Sequence, residues 1–170
     1  MIITPVLHNI RSVYNVGAIL RTCDGLGITE VALSGYTPKY NDPAALPHVR
    51  AKLNRQIEKS ALGAEKTVKQ ELVADLAKWL ERKKTQDAMI IGLENNLKAN
   101  EEPRKIILGA EPDINEEEVI LVLGEEVKGI PTEIRKLCDC FLEIPMRGQK
   151  ESFNVSIAAA IALWKLSLRA

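Results

Sequence analysis

The stretch Val119-Ile120-Leu121-Val122-Leu123, followed at once by Gly124-Glu125-Glu126-Val127-Lys128-Gly129-Ile130-Pro131, decides the architecture. An aliphatic run without a polar break reads as a strand buried on both faces, the kind found in a parallel sheet covered by helices. Glycines directly after such a strand mark the crevice where open α/β sheets take ligands. The loop has neither GxxxxGK[ST] nor GxGxxG, and its two carboxylates would repel a phosphate. It therefore suits a ligand that is uncharged or cationic nearby. Read alone, an ordinary strand-to-helix turn explains it as well.

Working outward, residues 131–137 read as a helix with proline in its first turn, 141–144 as a short strand, and 152–168 as a helix that Ser152 can cap. Upstream, 88–93 (AMIIGL), 30–34 (EVALS) and 2–7 read as strands, the last in spite of Pro5. Residues 9–14 are polar loop. From an Asn15 cap, Val16, Ile19, Leu20, Cys23 and Leu26 share one helix face, which Gly25 and Gly27 terminate. Residues 71–84 read as an amphipathic helix with Leu72, Val73, Leu76, Trp79 and Leu80 on one side, and 64–69 as a short strand. Residues 35–47 hold three prolines and read as a long ordered loop or a flap. Within the polar stretch 95–118, an edge strand fits at 105–108. Strands alternating with helices predict an α/β fold, with a mostly parallel sheet and helices on both faces, as a single domain over 1–170.

Composition narrows the function classes. At 170 residues, 46% hydrophobic and 27% charged, the chain is globular and builds a core without a staple. Three cysteines lack metal-ligand spacing, and His8 and His48 have no metal-like partners, so no metal is expected. Unpaired thiols suit a reducing cytosol, hence a cytoplasmic location. No basic n-region opens the chain and no apolar run reaches membrane length, so no membrane partner is expected. Lys+Arg and Asp+Glu balance at 23 each, so a nucleic acid would need a local basic patch. Arg50, Lys52, Arg55 and Lys59, with Arg147 and Lys150, supply candidates; a solvated loop is the alternative. With 4% aromatics, a stacking platform for single strands is poorly supported.

Two further motifs carry chemistry. In the segment from Asn15 to Gly27, Gly17, Arg21 and Asp24 line up opposite the apolar face. A glycine inside a helix costs about 1 kcal/mol against alanine, so space for something large beside Arg21 is its natural reason. The alternative is a solvated arginine paired with Asp24. In Ile144-Pro145-Met146-Arg147-Gly148-Gln149-Lys150-Glu151-Ser152-Phe153-Asn154-Val155-Ser156, the polar Asn154 and Ser156 interrupt an apolar helix start and must find partners in a loop or ligand. The final helix leaves almost no polar face, so it is either central in a monomer core or covered by a second subunit.

N-x-G-x-x-x-R-x-x-x-x-x-G (15–27), G-x-E-x-x-G (124–129) and IPM-x-G-x-x-x-S-x-N-V-S (144–156) resemble, in order and spacing, the signatures of the SpoU/TrmH RNA methyltransferases of the SPOUT superfamily. Residues 59–65 (KSALGAE) are similar to the stretch these enzymes carry between the first and second motifs. The resemblance implies S-adenosylmethionine as cofactor, transfer of a methyl group to a ribose 2′-OH of tRNA or rRNA with tRNA favoured, a C-terminal deep trefoil knot and a homodimer built through the last helix. It implies cofactor contacts from Gly92, Leu93, Glu94, Leu123, Gly124, Gly129, Ile144, Met146 and Phe153. It assigns Arg21 the central role, reaching the site from the partner subunit, with Asn15 at the RNA, Glu126 orienting Arg21 or the loop, and Ser152 and Asn154 positioning motif and substrate. The chain departs from the pattern at Phe153, where the family usually has leucine, in the long 95–118 stretch, and in having no separate RNA-binding domain. A base-methylating relative and a non-catalytic module that binds S-adenosylmethionine or RNA are the rival readings. An ordinary Rossmann-like oxidoreductase is disfavoured by the missing GxGxxG.

Overall fold

The computed structural model describes residues 1–95, 97, 105–107, 114 and 116–168. In chain order the elements are β1 (Ile2–His8), α1 (Val13–Gly25), β2 (Glu30–Ser34), α2 (Pro47–Ala61), α3 (Ala64–Thr67), β3 (Lys69–Val73), α4 (Leu76–Lys84), β4 (Met89–Leu93), β5 (Lys105–Ile107), β6 (Glu118–Leu123), α5 (Thr132–Arg135), β7 (Cys140–Glu143) and α6 (Val155–Ser167). The strands form one sheet in the order β3-β2-β1-β6-β4-β7-β5, and each neighbouring pair is parallel.

The apolar run in β6 serves both faces. Val119, Leu121 and Leu123 join the core beneath α1, α2 and α6, with Ile19, Ile57 and Leu163. Ile120 and Val122 join the opposite core, with Trp79 and Leu80 of α4 and Ile134 of α5. Successive strand residues point to opposite faces, so a strand covered on both sides reads as unbroken hydrophobicity. Pro5 is tolerated because pairing of β1 with β2 starts only at Val6, leaving no ladder on that side at Pro5.

Several local expectations are corrected. The cap of α1 is Ser12, whose hydroxyl accepts from the Asn15 N–H at 3.3 Å, so Asn15 lies inside the first turn. Residues 64–67 are a helical turn, and 69–73, expected to be strand and helix in part, form the strand β3. The helix begins only after Asp75, which caps it by accepting from the Lys78 N–H. Helix α2 was not anticipated: its sole fully buried side chains are Ile57 and Ala61, too few for a 3.6-residue stripe. The segment before it is an ordered loop. Thr37 Oγ1 donates to the Leu7 carbonyl and accepts from the Ile10 N–H, and the Tyr40 hydroxyl donates to Glu58. At α6 the cap is Asn154, not Ser152, with Oδ1 accepting from the Ser156 N–H at 2.9 Å.

Gly17 has a different reason from the one expected. A Cβ there would stand 2.6 Å from the Ile57 carbonyl oxygen and closer still to Ser60 Oγ, so the glycine lets α1 and α2 approach. Asp24 does not pair with Arg21 but accepts from the Thr67 hydroxyl at 2.5 Å.

Candidate functional site

A cavity of about 450 Å3 opens at the C-terminal ends of β4, β6 and β7. This is the edge where parallel sheets bind ligands. One wall is the loop 124–131, and the other is made by Ile144 and residues 152–154, the two ends of the segment that follows β7.

The first loop closes on itself. Glu125 N–H donates to the Gly129 carbonyl at 3.1 Å, and Gly129 N–H returns to Glu125 at 2.9 Å. A Cβ on Gly124 would lie 2.3 Å from the Gly129 carbonyl carbon, and Gly129 itself has φ +68. Only glycine at both positions permits so tight a ring.

Glu126 reaches out of this ring to α1. Its Oε1 accepts from the Ser12 N–H (3.3 Å) and from the Asn15 amide (3.1 Å), and Oε2 from the Arg11 N–H (3.3 Å). Partial burial alone would raise this carboxyl; hydrogen bonds from its own N–H, Arg11, Asn15 and Ser12 outweigh that and hold it below the usual carboxylate value. Asn15 Oδ1 in turn accepts from the Asn154 amide at 3.2 Å, and Asn154 Oδ1 accepts from the Ser156 hydroxyl at 2.7 Å. One polar chain, Glu126–Asn15–Asn154–Ser156, therefore ties all three motifs together at the rim. Within its own chain Glu126 ties the 124–131 loop to the Arg11 and Ser12 N–H groups just ahead of α1 and to the Asn15 amide.

A family model described as the SpoU rRNA Methylase family matches residues 3–164. The chain belongs to the SpoU rRNA methylase family. A 23S rRNA (guanosine-2′-O-)-methyltransferase from Bordetella pertussis is 29% identical to this SpoU chain over 161 residues, covering 94% of it and 57% of the relative. The chain thus spans little more than half the length of such curated relatives. An AdoMet-bound rRNA methyltransferase from Sinorhizobium meliloti superposes with a TM-score of 0.79 at 20% identity, covering 99% of the SpoU chain and 56% of the other. A structure concerned with 2-OH methylation of C/U34 on tRNA superposes at 0.72 with 20% identity and covers 99% of this chain and 95% of its own.

Of the residues expected at the cofactor, Leu93, Glu94, Leu123, Gly124 and Gly129 line the cavity of this SpoU chain, as do Ile144 and Phe153. Gly92 lies behind it, against the Phe141 ring. Met146 is not on the lining. Ser152, Glu126 and Asn154 are on it, whereas Asn15 reaches it only through the side chains of Glu126 and Asn154. Arg21 is exposed on α1, does not line the cavity of its own chain, and among the described residues has no ion-pair partner. Lys52, Arg55 and Lys59 are exposed at helical spacing along α2 and Arg50 is half-buried; Arg147 and Lys150 are exposed beside the cavity wall. Asn95, Thr132 and Arg135 also line the cavity and were not anticipated. They lie outside the three motifs, and Asn95 is followed directly by Asn96 at the start of a mainly polar stretch, so nothing in the local pattern marks it.

Proposed function

We propose that the chain is an S-adenosylmethionine-dependent RNA methyltransferase acting on a ribose 2′-OH. The observation that carries this reading is the cavity walled by two motif loops and tied to the first motif by Glu126, Asn15 and Asn154. The cavity fits the cofactor: its size suits a nucleoside with an amino-acid tail, and Glu125 and Glu126 at its mouth favour a cationic sulfonium over a phosphate. Leu123, Gly124 and Gly129 would hold it mainly through backbone groups, with Leu93 at the methionine end and Phe153 and Ile144 on the adenine side. When bound, S-adenosylmethionine supplies an electrophilic methyl: the ribose oxygen gains the C–O bond, the sulfur keeps the electrons of the broken S–C bond, and the hydroxyl proton must leave.

The protein's part is orientation and charge placement. A guanidinium keeps its proton to above about pH 12, so arginine is a poor general base. Arg21 instead grips the RNA phosphate beside the target ribose through its planar fork, and the phosphate or the surrounding network takes the proton. Asn15 contacts the RNA or its ribose, and Ser152 and Asn154 position the motif and the substrate. Arg50, Lys52, Arg55 and Lys59, with Arg147 and Lys150, form the patch for the RNA backbone, so binding weakens with salt.

Arg21 enters from a partner subunit. Supporting a homodimer, α6 buries Ala159, Ala162, Leu163 and Leu166 yet leaves Ile157, Trp164 and Leu168 exposed in a stripe. Trp164→Glu should yield monomers in sedimentation and lose methyl transfer, and added Arg21→Ala subunits carrying an intact cavity should restore none. The interleaving of β6 between β1 and β4, with β7 beyond β4, is the strand order that supports a C-terminal trefoil knot. The expected absence of metal matches a reaction whose electrophile carries its own charge; S-adenosylmethionine would act without one.

Tritium transfer from labelled S-adenosylmethionine to total RNA tests the activity, with nuclease digestion and mass spectrometry of the product. A 2′-O-methyl nucleoside is expected; a methylated base would overturn the ribose assignment, and full activity in Arg21→Ala would overturn the role given to that residue. Ribose mapping in cells with and without the gene separates tRNA, favoured here, from rRNA.

A further inference from the structure

β4 lies between β6 and β7, the two strands whose following loops wall the cavity. Its C-terminal end therefore stands between both loops, and two consecutive residues there reach in different directions. Glu94 Oε2 accepts from the Ile130 N–H at 3.2 Å and pairs with Arg135 Nη1 at 3.2 Å. Both side chains are nearly buried, at 11% and 7% exposure. The Arg135 guanidinium is also stacked 5.3 Å from the Phe141 ring centre. The same carboxylate lies where a Cβ of Gly129 would fall, 2.2 Å from Oε2. These contacts are to the 124–131 loop, the helix that follows it, or the ring beneath, while Oε1 accepts from the adjacent Asn95 N–H at 3.1 Å.

Asn95 faces the other loop. Its Oδ1 accepts from the Ile144 N–H at 3.1 Å while its Nδ2 donates to the Ile144 carbonyl at 2.9 Å. The same Nδ2 donates to the Glu151 carbonyl at 3.2 Å. One amide side chain thus pairs with the backbone at the point where the segment leaves β7, and again seven residues later. An amide carries an acceptor oxygen and two donor hydrogens on separate atoms, so a single side chain meets all three backbone groups here.

We propose that Glu94 and Asn95 are positioning residues that act as two separate latches: Glu94, through Ile130 and Arg135, fixes the first loop, and Asn95 fixes the second. Their separation across β4 sets the width of the cavity, and so the affinity for the cofactor more than the rate of transfer. This last step rests on the S-adenosylmethionine reading above; the latches themselves do not.

Hydrogen–deuterium exchange on the full ligand-free chain tests the latches. Asn95→Leu removes the paired bonds at near-constant volume, and amides at 144–152 should exchange about tenfold faster while those at 124–131 keep their protection. Glu94→Gln should do the reverse, loosening 129–135 alone. Loosening of both loops by either change, or of neither, overturns the proposal. Should Asn95→Leu fail to fold, Asn95→Asp keeps the acceptor for Ile144 N–H, loses both donations and gives the same reading. Calorimetry and kinetics then follow the cofactor. In Asn95→Asp, the Kd and KM for S-adenosylmethionine should rise about tenfold, the worth of two such bonds, with kcat and the KM for RNA within about twofold. A loss confined to kcat would overturn the affinity assignment. Failure of the unsubstituted chain to bind S-adenosylmethionine would sink the cofactor reading, and the exchange pattern would still decide the latches.

Discussion

The two loops that wall the cavity follow parallel strands on either side of β4, yet they are built in opposite ways. The 124–131 loop is a closed ring: paired backbone bonds between Glu125 and Gly129, and a Gly124 Cα pressed against the Gly129 peptide. The 145–153 segment has no such internal bonds among the described residues. It is anchored near its two ends by Asn95, and Arg147, Gly148, Gln149 and Lys150 between them are exposed. A preformed ring presents its backbone groups at no ordering cost when a ligand arrives, whereas a segment held only at its ends must still be ordered. The first wall is preorganised. The second is held only near its ends, and it carries Arg147 and Lys150, the basic side chains proposed above to meet RNA.

The contrast can be broken most severely at Gly124. Gly124→Ala drives a methyl into the Gly129 backbone, which cannot yield without opening the ring. The expected loss is about 3 kcal/mol, roughly a hundredfold in cofactor affinity, read by calorimetry beside thermal unfolding. Next in size is Arg135→Met, which removes the guanidinium that stands 3.2 Å from the nearly buried Glu94 carboxylate; a destabilisation of about 3 kcal/mol in urea unfolding is expected. The double variant Glu94→Gln with Arg135→Met should recover part of that loss, because neither charge remains.

A gentler probe uses acid. The Glu126 carboxyl is held below its ordinary value of 4.5, so the unfolded chain takes up its proton first as pH falls. Its contribution is fully present above that value and is lost as pH drops through the folded pKa. Glu126→Gln should therefore flatten the acid limb of the stability curve, measured by urea midpoints at stepped pH. The smallest effect belongs to Gly148→Ala. Nothing lies within 4 Å of the added methyl, and stability should change by less than about 0.5 kcal/mol. A large effect at Gly148 would show that the second wall is as closely built as the first.

The same contrast explains what could be read from the sequence. Strand β6 was legible because burial on two faces leaves an unbroken apolar run, and the three motifs were legible because glycine, arginine and asparagine are conspicuous where they stand. The polar link Glu126–Asn15–Asn154 was visible as three candidates but not as a link, since more than a hundred residues separate Asn15 from Glu126 and from Asn154. Latching by Asn95 escaped notice for a related reason: its partners are backbone groups at Ile144 and Glu151, and any residue type can supply those. The pattern draws β3 into the following helix because Leu72 and Val73 fall in phase with Leu76, and only the Asp75 cap separates them. Helix α2 hides because its charged stripe outweighs the two residues it buries. The edge strand expected near 105–108 is present at Lys105–Ile107, while much of the surrounding 95–118 stretch lies outside the described residues.

The chain's two tryptophans sit in contrasting surroundings. Trp79 is buried, its indole N–H donating to Glu71 and the Lys83 ammonium 5.2 Å from its ring, whereas Trp164 is 57% exposed on the outer stripe of α6. Native fluorescence is therefore already a label for the homodimer proposed above: Trp79 supplies a constant blue component, and on dissociation a red component from Trp164 should grow with dilution.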